Sequence, residues 1–388
     1  MNSTKTNLLG LTSQELGTFV RDMRESAYRG RQLFQWLYAK GVNQFHAMTD
    51  LAKGFREKLE SVATIEGLRL VAEQRSAIDS TTKFLFELTD GLRIESVLIP
   101  PSSAFRDKKA SNEDEQRRLT LCVSTQVGCP LDCVFCATGS MGFLRNLTTG
   151  EILDQVLRVR ELTKRRITNI VFMGMGEPMM NYDNVMKATD IITEGLGIAA
   201  RRMTVSTAGW ADRIRQMGEE KRKVKLALSL HSAVDATRAK LMPITKRFAI
   251  SDLASAIERY YKQTKRRITY EQIFFDGVND TEREVTALIR FARRVPCKIN
   301  VIPFHSIEFT RPTGLAAELR PSPKTREIVE RLRQSHLTVF LRSNAGEDID
   351  AACGQLAVKT ERPQKRSPRA AKVSTLNDFI PMHPSSIQ

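Results

Sequence analysis

From residue 119 onward the sequence alternates between short apolar runs and longer amphipathic ones, and this rhythm restricts the fold more than any other feature. Candidate strands fall at 119–125, 169–173, 203–207, 224–230, 268–275, 297–303 and 337–341. Helical patterns at 150–165, 184–194, 210–219, 251–265, 282–294 and 323–335 separate them. Strands that alternate with helices form a parallel sheet, because each crossover returns the chain to the same end. Six or seven such units predict an α/β fold with a partial TIM-like (β/α)6 barrel rather than a flat doubly wound sheet. Functional residues of such barrels sit on the loops that leave the C-terminal strand ends.

The first 60 or so residues read as helical. Thr12-Ser13-Gln14-Glu15 has the form of a capping box, followed by apolar Leu16, Phe19, Val20 and Met23. Further helices fit Gly30 to Ala39 and Leu51 to Leu59. Next, Lys83 to Leu88 and Leu92 to Ile99 flank Asp90-Gly91, a pair suited to a tight β-hairpin. Pro100 to Arg118 is polar and reads as a flexible insertion, and the Pro- and Ser-containing basic tail from Lys359 as disordered. The expected division is a helical accessory domain at 1–80, hairpin and insertion at 81–118, the core at 119–357, and the tail at 358–388.

The formal net charge is +16, and paired arginines recur at 117–118, 165–166, 201–202, 266–267 and 293–294. Such a balance favours a polyanionic partner, nucleic acid or an anionic surface, although solvated helix faces can also be basic. No apolar run approaches the ~18 residues of a membrane span, and the N-terminus lacks the pattern of a secretion signal. The expectation is a cytoplasmic protein without membrane contact. Six cysteines are too few for a disulfide scaffold in a chain of 388 residues, and three of them crowd into residues 129–136. That grouping reads as metal binding in a reducing compartment.

Cys129-Pro-Leu-Asp-Cys133-Val-Phe-Cys136 follows the first barrel strand, at the expected mouth. Structural zinc is usually closed by four ligands, and an electron-transfer cluster takes four cysteines. Three thiolates on one loop therefore suit a 4Fe–4S cluster with one iron open to a small ligand. Gly174-Met-Gly176-Glu177-Pro178 follows the second strand, Ser206 ends the third, Ser229-Leu230-His231 the fourth, and Asn300 to His305 the sixth. A Gly-Glu-Pro loop alone is an ordinary turn, and a lone histidine such as His231 is more often structural. Polar groups at five strand ends aimed at one mouth favour a shared site.

The C-x-x-x-C-x-x-C spacing, with Phe135 before the last cysteine, resembles the radical-SAM superfamily. Thr120-Leu-Cys122-Val-Ser-Thr-Gln-Val-Gly-Cys129 and Gly346-Glu-Asp-Ile-Asp-Ala-Ala-Cys353-Gly-Gln-Leu-Ala narrow this. Over about residues 10–357 the chain is similar to the RlmN family of dual-specificity rRNA/tRNA adenine-C2 methyltransferases. The resemblance implies a 4Fe–4S cluster held by Cys129, Cys133 and Cys136, with S-adenosylmethionine (SAM) at the open iron and two SAM consumed per turnover. It implies SAM contacts from Gly176, Glu177, Ser206, Ser229, Leu230, His231 and His305. At His305 the chain departs from the family, where asparagine is common.

By the same resemblance Cys353 carries the methyl group as S-methylcysteine. Cys122 resolves the protein–RNA adduct, forming a transient disulfide with Cys353, and Glu95 is an acid/base carboxylate. On sequence alone Glu95 reads as a solvated strand residue. Cys297 has no counterpart role and reads as core. A radical route suits the substrate, because adenine C2 lies between two ring nitrogens and is as electron-poor as the methyl group of SAM. The implied partners are 23S rRNA near the peptidyl-transferase centre, tRNA just 3′ of the anticodon, and an external electron donor such as a flavodoxin, with the enzyme a monomer. The rivals are a related adenine-C8 methyltransferase conferring antibiotic resistance, a radical-SAM enzyme with a small-molecule or peptide substrate, and a zinc-binding RNA module.

Overall fold

Each of the seven runs read as core strands forms one in the computed structural model, which describes residues 5–101, 118–342 and 345–358. The expected insertion, apart from its ends, and the tail from Lys359 lie outside the described residues. We label the strands of the main sheet β1 (Arg69–Arg75), β2 (Thr82–Glu87), β3 (Arg93–Ile99), β4 (Thr120–Cys122), β5 (Asn169–Phe172), β6 (Met203–Thr207), β7 (Lys225–Ser229), β8 (Ile268–Gln272), β9 (Cys297–Val301) and β10 (Val339–Leu341). From one edge to the other the order runs β10 through β1 without a break. Strands β4 to β10 are parallel, and β1 to β3 continue the sheet antiparallel beyond β4. Among the described residues the arc is open, with β1 and β10 as its edges.

The helices are α1 (Ser13–Asp22), α2 (Tyr28–Phe34), α3 (Lys53–Val62), α4 (Thr149–Thr163), α5 (Tyr182–Gly195), α6 (Ala211–Glu219), α7 (Asp235–Leu241), α8 (Ile250–Thr264), α9 (Glu282–Ala292) and α10 (Thr325–Gln334). The capping box read at α1 forms: Thr12 Oγ1 accepts from the Glu15 N–H at 3.2 Å, and Glu15 Oε2 accepts from the Thr12 N–H at 2.7 Å. Thr148 and Glu151 repeat the device at α4. The helix expected over 30–39 is α2 followed by a π-helical segment, Gln35–Lys40, ended by Gly41 in the left-handed region.

Several elements were not expected, among them the ribbon of Gln126–Gly128 with Phe143–Asn146, one strand of the main sheet and one helix. Strand β1 pairs antiparallel with β2, so the hairpin β2–β3 is the inner part of a three-stranded extension whose outer edge is β1. Its residues are mostly exposed and more polar than apolar, which hides a strand from periodicity but suits a sheet edge. Helix α7 lies in a stretch that sequence reading left unassigned.

Successive residues of a strand face opposite sides of the sheet. In β6 and β9 the first, third and fifth residues are buried while those between are half-buried. The buried set packs against the helices, and Ser206, Lys298 and Asn300 occupy the more open inner face. Cys297 is buried and donates to the Ala292 carbonyl at 3.2 Å, in line with the core role read for it.

Arg238 on α7 fastens the strand ends together. It is fully buried. Its Nε donates to the Leu230 carbonyl at 3.0 Å, Nη1 to Thr245 Oγ1 at 2.8 Å, and Nη2 to the Ser229 carbonyl at 3.1 Å and to that of Ala208. Removing a hydrogen-bond partner from a buried polar group costs ~1–3 kcal/mol. Arg238→Met strands several acceptors at once, so we expect a loss of roughly 3 kcal/mol or more, read from the denaturant midpoint. A change below about 1 kcal/mol would mean that these carbonyls are satisfied in another way.

Candidate active site

Beyond the C-terminal ends of the parallel strands lies an open cavity of about 820 Å³. Cys129, Cys133 and Cys136 line it, together with Gly176, Glu177, Ser206, Ser229, His231, Glu271 and Cys353. The sequence-read residues from three strand ends, β5, β6 and β7, thus meet the three-cysteine loop. Two of the residues expected to contact SAM do not line this cavity. Leu230 is fully buried beside it, its N–H bonded to the Glu271 carbonyl at 3.0 Å. His305 lines a neighbouring cavity instead.

The cysteine loop is held from both sides. A two-stranded ribbon, Gln126–Gly128 with Phe143–Asn146, brackets it, and the Cys129 N–H bonds to the Gly142 carbonyl at 3.0 Å. The Val134 N–H reaches the Leu241 carbonyl of α7 at 3.1 Å. Burial, and the negative charge of the neighbouring sulfurs, push the Cys129 and Cys133 thiols up. Three soft sulfur donors in a cavity with a polar far wall fit an iron–sulfur cluster with SAM against it.

Gly176 sits at φ +100°, and a Cβ there would lie 2.5 Å from the Gln126 side chain. Only glycine allows this loop to close over the cysteine-bearing segment. Gln126 Oε1 accepts from the Glu177 N–H at 2.8 Å. The fully buried Glu177 carboxylate accepts from the backbone N–H of Ala208 at 2.7 Å and of Met179 at 3.0 Å. Burial outweighs these bonds and raises its pKa. His231 has φ +55°, a conformation held by the Gln272 and Asn279 amides on its carbonyl at 2.8 and 2.6 Å. Its Nδ1 accepts from the Ile273 N–H at 3.1 Å, which leaves Nε2 to carry the hydrogen. Burial lowers the imidazole pKa to about 3, so the ring is neutral.

Cys353 lines both cavities. The second also holds Cys122, Ile99, Met173, Ile302, Arg342 and His305. Arg342 Nη1 lies 3.9 Å from Cys353 Sγ and 4.0 Å from Glu271 Oε2. Cys122 is buried, and burial with the adjacent Cys353 sulfur pushes its thiol up to about 12. Both are free thiols. His305 Nδ1 is 3.3 Å from Glu347 Oε1 on the loop before Cys353.

Val97 on β3 pairs with Cys122 on β4, and Lys83 on β2 pairs with Val97. Residues paired across a sheet or two apart share a face. Glu95 therefore lies on the same face as Cys122. It is 5% exposed, against the solvated position that sequence alone suggested. Its carboxylate pairs with Lys83 Nζ at 3.3 Å, and Lys83 also donates to the Asp350 carbonyl at 3.3 Å. Lys83, Arg342, Glu271 and Arg238 escaped the sequence reading. A lone lysine or arginine in a basic chain gives no local sign of burial. Glu271 fits the strand pattern of its neighbours.

Residues 6–65 match the family model described as the ribosomal RNA large subunit methyltransferase N-terminal domain, and residues 123–289 match that of the radical SAM superfamily. The chain is 42% identical to a probable dual-specificity RNA methyltransferase RlmN of Flavobacterium psychrophilum, over 92% of this chain and 99% of that protein. It is 38% identical to the dual-specificity RNA methyltransferase RlmN of Marinobacter nauticus, over 96% and 98%. The crystal structure of a radical SAM methyltransferase from Sphaerobacter thermophilus superposes with a TM-score of 0.80 at 38% identity, covering 90% of this chain and 99% of the other. With its barrel, three-cysteine loop and second pair of thiols, the chain belongs to the RlmN family of dual-specificity RNA methyltransferases, within the radical SAM superfamily.

Proposed function

We propose that the protein methylates carbon 2 of adenine in 23S rRNA, in the peptidyl-transferase region, and in tRNA, next to the anticodon on its 3′ side. The observation that carries this reading is the position of Cys353 on both cavities, the one lined by the three-cysteine loop and the one holding Cys122. A sulfur so placed can take a methyl group on one side and present it to a base on the other.

Cys129, Cys133 and Cys136 hold the 4Fe–4S cluster, and Gly176, Glu177, Ser206, Ser229 and His231 hold SAM against it. When bound, the cluster and SAM supply methyl groups and the deoxyadenosyl radical, at two SAM per turnover. Cys353 carries the methyl as a thioether. Arg342 Nη1 donates to its sulfur at 3.9 Å and helps fix where it points. Glu95, fixed by Lys83, moves the proton that C2 must lose. Cys122 attacks the sulfur of the adduct and frees the RNA as a Cys122–Cys353 disulfide. Leu230 shapes the wall behind Ser229 and His231, and His305 steadies the Cys353 loop through Glu347.

The helical residues before β1 serve as an RNA-binding accessory unit. A flavodoxin-like donor supplies electrons, and the enzyme works as a cytoplasmic monomer. No helix among the described residues is long and apolar enough to cross a membrane.

The test is anaerobic reconstitution with iron and sulfide, SAM, a reductant and unmodified rRNA or tRNA, followed by mass spectrometry of the nucleosides. 2-Methyladenosine in both RNAs is the expected product. 8-Methyladenosine would move the chain to the resistance-type chemistry, and SAM cleavage without methylated RNA would sink the substrate assignment.

A further inference from the structure

The paired arginines that give the chain its charge all precede strands. Arg165-Arg166 enters β5, Arg201-Arg202 enters β6, Arg266-Arg267 enters β8 and Arg293-Arg294 enters β9. Lys221-Arg222-Lys223 enters β7 in the same way. Because β4 to β10 are parallel, every one of these loops falls at one end of the sheet, opposite the cavity that holds the cysteines.

Two lysines lie at that end within the strands themselves. Lys225 is the first residue of β7 and shares the inner face with Ser229, while Lys298 shares it with Asn300 on β9. Partial burial lowers the pKa of both, and neighbouring cations, Arg118 among them, lower it further, while the Glu271 carboxylate acts the other way on Lys298. Among the described residues Arg166, Arg201, Lys223, Lys225, Arg266 and Lys298 form no ion pair with a carboxylate. Two segments at the mouth are acidic by contrast. Asp276, Asp280, Glu282 and Glu284 follow β8, and Glu347, Asp348 and Asp350 precede Cys353.

A cation at a helix C-terminus is favourable by ~0.3–1 kcal/mol, and this accounts for one base in each loop. It does not account for the second, nor for Lys225, set in a strand among like charges. Such crowding costs folding energy and is relieved by an anion.

We propose that this end of the barrel is a second RNA-docking surface, which takes the phosphate backbone of a long RNA at a distance from the adenine in the mouth. The inference rests on the RNA-methylating function proposed above. Its contacts are ionic and blind to sequence. Short RNA hairpins held at the mouth do not reach it, whereas a folded rRNA domain does.

The test uses the full-length, cluster-loaded enzyme with Arg166, Arg201, Lys223 and Arg266 replaced together by glutamine. A second variant replaces the three arginines by lysine and keeps the charge. Binding is measured along a salt series to a long rRNA fragment and to a short hairpin containing the target adenine. For the long RNA, the glutamine variant should bind ~10-fold or more weakly, with a shallower salt dependence by up to ~0.9 per lost phosphate contact. Hairpin binding should hold, and the lysine variant should match the parent on both. Unchanged long-RNA affinity and slope would overturn the proposal. So would an equal loss on the hairpin, which would mean a long-range field rather than contact, or a loss in the lysine variant, which would mean a damaged fold. Methylated nucleosides from the hairpin with the parent enzyme report on the catalytic assignment separately.

Discussion

Cys353→Ala is expected to abolish methylation of RNA while leaving the iron–sulfur absorbance and iron content of the protein unchanged. The loss should be on the order of 10⁴-fold or more, the scale seen when a covalent nucleophile is removed from an enzyme. The two outcomes separate because Cys353 lies outside the cysteine loop. Its neighbour Gly354 touches that loop only through the backbone, the Ala137 N–H donating to the Gly354 carbonyl at 2.7 Å. Methylated RNA above background from this variant would remove the carrier role. Loss of iron would show that the residue supports the cluster instead.

Cys122→Ala is expected to stop at a single event per enzyme, with protein and RNA joined covalently. Among the described residues no other thiol lines the second cavity, whose remaining residues, Cys353 apart, are apolar, Arg342 or His305. The adduct should survive denaturation, migrate as a protein–RNA band in proportion to enzyme, and require Cys353, so that the double variant shows none. Multiple turnovers without a band would assign resolution to another thiol. The buried position of Cys122 on β4 makes a small fold cost part of the expectation, so intact cluster absorbance accompanies the measurement.

How much of this was written in the sequence varies with the range of the interaction. The core strands were legible because each is a short apolar run between turn signals. The capping box at Thr12 and Glu15 was legible because its partners are three residues apart. The three-cysteine loop was legible for the same reason, and its place at the mouth followed from parallel topology. Strand β1 was missed because pairing with β2, rather than an apolar face of its own, holds it. The burial of Glu95 depends on Lys83 and on Asp350, more than 250 residues away. The stapling role of Arg238 depends on carbonyls from the loops after β6 and β7. No local pattern carries such pairings. The charge was visible as a total, but its concentration at one end became apparent only once the strands had a common direction.

The loop that carries Cys353 is stitched on two sides. Asp79 Oδ2 accepts from the Gly346 N–H at 2.9 Å, and Asp348 Oδ2 accepts from the Ala77 N–H at 3.0 Å, which ties the loop to the β1–β2 turn. On the other side, Thr138 Oγ1 donates to the Leu356 carbonyl at 2.6 Å. A loop fastened in this way does not swing between the cavities; its cysteine turns about one bond. Side-chain rotation is complete within picoseconds to nanoseconds, whereas loop travel takes nanoseconds to microseconds. In the carrier role proposed for Cys353, this rotation is faster than any movement of the loop.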